Sequence, residues 1–224
     1  MSITILYEDR WIIVALKPAG LASQTAKVTE PDCVSLIKEH IRKNDPSIKR
    51  EPYVGVIHRL DQPVAGLLVF AKDKETAASL STQVRSDIMN KHYLALVEGI
   101  VDQPQETVLT DHMFKDPKTS KAIIVDDPKG SGNTDIRKAT LIYKTHKIME
   151  QEDKTVISIK LVTGRFHQIR AQMSHMGHPI VGDGKYGSSL PYPKGIALVA
   201  NRLEFVHPRS GEKVEKAVDF SFFL

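Results

Sequence analysis

Apolar residues in this chain come mostly in short alternating or continuous bursts bounded by Gly, Pro, Asn and Asp, the pattern of strands joined by turns. Ile3 to Tyr7 and Trp11 to Lys17 read as two strands around the Glu8-Asp9-Arg10 turn, and Lys17-Pro18-Ala19-Gly20 breaks the second. Val34, Leu36, Ile37 and Ile41 lie at roughly helical spacing, so Pro31 to Lys43 is predicted as a first helix, followed by a polar loop from Asn44 to Pro52. Tyr53 to Ile57 and Leu67 to Lys72 read as strands on either side of a Gly-ended loop. Asp73 is a good N-cap for a second helix reaching about Met89. Strands are predicted at Lys91 to Glu98, Glu106 to Met113, Ala122 to Val125, Arg137 to Thr145 and Thr155 to Val162.

A third helix is predicted just after Thr163-Gly164, because Phe166, Ile169, Met173 and Met176 form an apolar stripe that Gly177 is placed to end. Arg170 falls beside this stripe, which puts its guanidinium at the margin of a core. Ile196 to Phe205 and Lys213 to Phe223 complete the set as extended segments, and Lys115 to Arg137 reads as an insertion between strands. No internal repeat is visible. Many strands with few helices in 224 residues indicate one mixed α/β or α+β domain spanning the chain.

Composition narrows the class. An apolar content of 41% supports a proper core, and the single Cys33 excludes an internal disulfide framework or a multi-Cys zinc ribbon. Met1 to Tyr7 lacks the features of a signal peptide and no run approaches the roughly 18 apolar residues of a membrane span, so a cytoplasmic location is the expectation. The 31 Lys and Arg against 27 Asp and Glu give a net +4, a mild bias towards polyanions. Basic residues gather at Lys38 to Arg50, Lys115 to Lys121 and Lys138 to Lys147, which fits either a phosphate-binding surface or solvated faces.

The chemistry-bearing candidates stand in separate blocks. His58-Arg59-Leu60-Asp61 sets a carboxylate beside a basic pair at the end of a strand, where an acid can be partly desolvated yet kept ionised, as a nucleophile requires. A surface ion pair or a turn-capping Asp is the plainer reading of the same residues. Tyr93, on an alternating strand, is a core aromatic or a ring for stacking and proton handling; Arg170 is a structural cation or a counter-charge. The pair His175-x-x-His178 does not make a metal site, since Gly177 breaks the helical register and no third ligand is near in sequence.

Taken together, these blocks resemble the RluA-type family of pseudouridine synthases. The likeness runs through Tyr7-Glu8-Asp9 to Lys17-Pro18-Ala19-Gly20-Leu21, His58-Arg59-Leu60-Asp61 to Gly66-Leu67-Leu68-Val69-Phe70-Ala71-Lys72, and Lys91-x-Tyr93-x-Ala95-x-Val97-x-Gly99. It continues through Lys138-Ala139-Thr140, Gly164-Arg165-x-His167-Gln168-Ile169-Arg170, Gly182-Asp183-x-x-Tyr186-Gly187 and Arg202-Leu203-x-Phe205-x-His207-Pro208. The resemblance implies a single α+β catalytic domain: a bent, mainly antiparallel mixed sheet flanked by helices, with a cleft across its middle. It implies that Asp61 is the catalytic aspartate, Arg59 the residue that enters the RNA stack, Tyr93 the ring against the flipped uracil and Arg170 the ion-pair partner of Asp61. Arg165 joins them as an RNA-binding cation.

Two departures accompany the likeness. Val64-Ala65 stands where the family usually has Thr-Ser before the glycine, and the expectation is of a stand-alone catalytic domain without the S4-type RNA-binding module of many relatives. The implied reaction isomerises a uridine in structured ribosomal or transfer RNA with no metal, nucleotide or redox cofactor. The implied partner is RNA rather than DNA or a membrane, with a monomer as the default. Two other classes compete: a non-catalytic RNA-binding protein on the same fold, which the retained Asp61 disfavours, and a small-molecule hydrolase using Asp61 and His58, which lacks a nucleophile elbow or phosphate loop.

Overall fold

In the computed structural model, residues 2–25, 30–128 and 134–219 are described. The chain divides into two compact units, the first built from residues up to Lys91 together with the segment from Ala200 onwards, the second from His92–Val199. Among the described residues there are eleven strands and three α-helices, and no helix is long and apolar enough to cross a membrane.

In the first unit β1 (Thr4–Glu8) and β2 (Ile12–Lys17) form an antiparallel hairpin. Its turn is closed by Asp9, whose Oδ1 accepts the N–H groups of Trp11 at 2.7 Å and Ile12 at 2.8 Å. Next to β2 runs β4 (Ala65–Ala71), antiparallel in the register Ile12↔Ala71 to Lys17↔Gly66, and the two-residue β3 (Gly55–Val56) pairs with β4. Both β2 and β4 are buried along almost their whole length, only Leu16 and Ala65 being partly exposed, as expected for strands covered on both faces. On one face Ile12 and Val14 meet Leu67, Val69 and Ala71 in a core that also takes in Leu80, Met89, Leu203 and Phe205.

The helices of this unit begin where side chains satisfy their first N–H groups. α1 (Cys33–Asn44) starts on a reciprocal capping box between Asp32 and Ser35, and α2 (Lys74–Arg85) on Asp73, which accepts from Thr76 N–H. α2 ends before the expected Met89, because Ser86 closes the helix and Asp87 turns left-handed at φ 56°. Met89 reaches the core from the loop that follows, not from the helix. The strand expected over Tyr53 to Ile57 shrinks to Gly55–Val56, and Tyr53 is exposed.

β10 (Leu198–Val206) and β11 (Lys213–Ala217) pair antiparallel. The turn between them is pinned to the start of the chain, with His207 Nε2 2.8 Å from Asp9 Oδ2 while His207 Nδ1 accepts the N–H groups of Arg209 and Ser210. The blocks around Asp9 and His207 therefore carry architecture. The expected continuation of β11 beyond Asp219 lies outside the described residues.

In the second unit the strand order is β5 (Asn90–Glu98), β9 (Lys154–Leu161), β8 (Arg137–Met149), β6 (Thr107–Asp116) and β7 (Lys121–Ile124). The β6–β7, β6–β8 and β8–β9 pairs are antiparallel. The first part of the expected insertion, Lys115 to Ile124, is thus a hairpin, and its 129–133 portion lies outside the described residues. α3 (Gln168–His175) starts later than the apolar stripe suggested, and Gly177 at φ 82° ends it as expected. The Gln168 side chain explains the delay: its Oε1 accepts from Thr163 Oγ1 at 2.8 Å and Arg165 N–H at 3.0 Å, holding residues 163–165 in a loop. Phe166, expected to pack inward, is exposed as a result.

Candidate active site

The loop from Ile57 to Gly66 delivers Asp61, and its main chain is held at consecutive residues. Leu60 N–H donates to Ser23 Oγ at 3.0 Å, and the same hydroxyl lies 2.9 Å from Leu60 O. Gln62 O accepts from Gly20 N–H at 2.8 Å, while its side-chain amide returns a bond to Gly20 O at 3.0 Å. Asp61 O closes a turn on Val64 N–H at 3.0 Å. The carboxylate stands half-buried in the middle of this clamp, and Arg59 is exposed two residues before it.

Lys17 completes the clamp. Its side chain is fully buried, and its ammonium donates to the carbonyls of Leu21 at 2.7 Å, Pro18 at 3.1 Å and Gln62 at 3.1 Å. Burial pushes its pKa down to about 8, against the fields of Cys33 and Asp61 that favour the charge. Cys33, by contrast, is pushed up to about 11 by burial and remains a thiol at neutral pH. In the sequence, Lys17 at a strand end before Pro-Ala-Gly looks like a solvated breaker. Only the fold shows it turned inward.

His58, two residues before Leu60, has both ring nitrogens buried without a hydrogen-bond partner. Burial, and then the positive charge of Lys91, pushes its pKa down to about 3, so the ring is neutral and weakly basic at physiological pH. Lys91 is itself lowered by burial. This removes the general base that a hydrolase reading would need. Val64, which stands in place of a hydroxyl residue of the resembled pattern, is only 2% exposed and packs as an apolar side chain. Gly66 ends the loop at φ 138°, and a Cβ there would stand 2.5 Å from the backbone N and O of Ala200. Only glycine lets the strand through.

The second unit carries the other candidates. Tyr93 is buried on β5. Arg170 is buried in α3, and Asp183 grips it in a two-pronged contact, Nε to Oδ2 at 2.7 Å and Nη2 to Oδ1 at 2.9 Å. The guanidinium lies 4.9 Å above the ring of Tyr186. The block Gly182-Asp183-x-x-Tyr186 therefore holds the arginine, a role that sequence alone did not assign, since neither charge announces that it is buried. Arg165 is exposed, with Nε tied to Lys138 O at 3.0 Å. His178 Nδ1 lies 2.9 Å from the Glu98 carbonyl, whereas His175 Nε2 lies 3.5 Å from Asp126 Oδ1.

Residues 11–175 match the family described as RNA pseudouridylate synthase. The chain belongs to that family. Among curated proteins it is 32% identical over 234 residues to the ribosomal large subunit pseudouridine synthase D of Xanthomonas campestris, covering 96% of this chain and 65% of that protein. It is also 32% identical over 222 residues to an uncharacterized RNA pseudouridine synthase of Aquifex aeolicus, covering 95% of this chain and 67% of the relative. The chain thus spans about two thirds of these relatives' length. Among solved structures, human RNA pseudouridylate synthase domain containing 4 superposes with a TM-score of 0.75 at 20% identity over 98% of this chain and 90% of its own. Human RNA pseudouridylate synthase domain containing 1 gives 0.74 at 22% identity over 97% and 83%. Members of the RNA pseudouridylate synthase family thus share this α+β fold across nearly the whole chain.

Proposed function

We propose that this chain isomerises uridine to pseudouridine within structured RNA, with Asp61 as nucleophile. The observation that supports this most is the setting of Asp61: a half-buried carboxylate whose own loop is bonded residue by residue to the 17–23 segment, in a chain of this family. Such a clamp fixes the reacting oxygen before substrate arrives, the main requirement of positional catalysis. In the reaction Asp61 bonds transiently to the ribose C1′ or to the uracil ring, the N1–C1′ bond breaks, the uracil turns in place, C5 bonds to C1′, the bond to Asp61 is broken again, the C5 proton leaves and N1 gains one. Atoms and electrons balance within the nucleotide.

The remaining roles follow from side-chain character. Arg59, exposed at the loop, fills the gap left by the extruded uridine and offsets part of the few kcal/mol of unstacking. Tyr93 supplies the wall for the uracil ring and is the candidate for removing the C5 proton, with Asp61 as its competitor. Arg165, exposed in the second unit, contacts phosphate. The names of the relatives favour ribosomal RNA as the substrate class, with transfer RNA as the second outcome.

Total RNA from cells lacking the protein, incubated with it and mapped chemically for pseudouridine, tests the reading. New pseudouridine at discrete positions in ribosomal RNA is the expected result. Asp61→Asn keeps the shape and loses the nucleophile, so the rate should fall by several orders of magnitude with RNA affinity little changed. Residual activity above about a tenth of wild type would sink the assignment, because a tenfold loss is only about 1.4 kcal/mol of transition-state stabilisation. RNA binding by the wild type with no pseudouridine formed would favour the non-catalytic reading instead.

A further inference from the structure

We propose that Phe166, which carries the Lys115 ammonium over its ring, is a stacking platform that grips an unpaired nucleotide of the RNA once that ammonium swings aside to the phosphate; this rests on the RNA reading above. Phe166 is 38% exposed although the helix behind it buries its own apolar residues. Its ring stacks on the neighbouring His167 with centroids 3.7 Å apart and planes 19° from parallel. Consecutive side chains on a strand or helix diverge, and these two meet because His167 adopts a left-handed backbone at φ 52°, rare for a non-glycine residue. Such an outlier persists only where the surroundings hold it, and here they do.

The His167 ring is anchored from below. Its Nδ1 lies 2.9 Å from the Tyr186 hydroxyl, which accepts the N–H of Ala122 at 2.7 Å. Ala122 is paired across the β6–β7 hairpin with Lys115, whose Nζ lies 4.6 Å from the Phe166 ring centroid. One hairpin therefore supplies both the support under the stack and the cation over the Phe166 ring. Lys118, at the turn of the same hairpin, and Arg165, next to Phe166 in the chain, are also exposed. Asp116, the carboxylate on that turn, is engaged by the N–H groups of Lys118 and Thr119.

An exposed aromatic ring covered by one displaceable ammonium matches one ligand chemistry in particular. A nucleobase offers a flat π surface of any sequence, and its phosphate offers the negative charge. Duplex RNA keeps its bases stacked on each other, so the ligand is a single-stranded nucleotide in a loop or bulge. A protein partner would need a broader apolar area than this one ring among Lys and Arg supplies.

The test compares wild type with Phe166→Leu, Phe166→Trp and Lys115→Gln, using a labelled short oligouridylate and an RNA duplex stem of equal length. Phe166→Leu should weaken oligouridylate binding about tenfold and leave duplex binding alone, whereas Phe166→Trp should bind as wild type and show indole quenching by the oligomer. Lys115→Gln should lower affinity and flatten its salt dependence. On a modifiable RNA, Phe166→Leu should raise KM with kcat unchanged. Wild-type oligouridylate affinity in Phe166→Leu, or unaltered emission from Phe166→Trp, overturns the platform. If wild type still forms pseudouridine in total RNA, only this inference has failed; if it neither binds nor modifies RNA, the RNA reading has failed with it.

Discussion

Lys17 shows how one buried charge can set the geometry of another group's chemistry. Its ammonium holds three carbonyls, one of them next to Asp61, and its pKa is pushed down from 10.5 to about 8 by burial. Above about pH 8 the clamp loses its charge, so the rate should decline on the alkaline side. Stability from the same group moves the other way: between about 8 and 10.5 the unfolded chain holds a proton that the folded chain has released, so this contribution rises with pH. Measuring kcat and urea midpoints from neutral to alkaline pH separates the two trends. Lys17→Met should lose the alkaline limb and run about tenfold to a hundredfold slower at pH 7, as a displaced reacting group does. The same limb at the same pH in Lys17→Met would mean that another group titrates. In the second unit, Asp183→Asn leaves the Arg170 cation without its two-pronged acceptor and should cost about 3–5 kcal/mol in urea unfolding. Arg170→Lys should recover little, because a point charge cannot span both oxygens. Near-wild-type stability in Asp183→Asn would show that the arginine is held by its other contacts.

Among the elements, the loop from Ile57 into β4 is the most exacting, because its exit at Gly66 passes within contact of the Ala200 backbone. Gly66→Ala combines a disfavoured φ with a backbone collision and should lower stability by several kcal/mol, more than the roughly 1 kcal/mol of a routine glycine substitution. A circular-dichroism melt superposable on wild type would refute the close approach. Most elements could be read from the chain, since alternation, Asp32 and Asp73 caps, and Gly177 act locally. The start of α3 could not. It depends on the side chain of Gln168 reaching back to Arg165 and Thr163, a tertiary choice that overrode the apolar stripe and left Phe166 outside. The same distinction divides the site residues: Asp61, Arg59, Tyr93, Arg165 and Arg170 stand in recognisable blocks, whereas the supports, Lys17 and Asp183, reveal themselves only through burial.

At the scale of the whole molecule, the first unit is assembled from the two ends of the chain. Leu203 and Phe205 lie in the same core as Ile12, Val14 and Leu67, and His207 is bonded to Asp9. During synthesis, then, β2 and β4 are made early but cannot finish their core until the intervening His92–Val199 has been translated. At about 5–20 residues per second, that leaves the apolar faces of β2 and β4 uncovered for several seconds. Local contacts can form at once, but the last core layer waits on contacts of long sequence separation, which are slow to close. The unit that holds Asp61 is therefore the one most dependent on protection from aggregation while the ribosome is still at work.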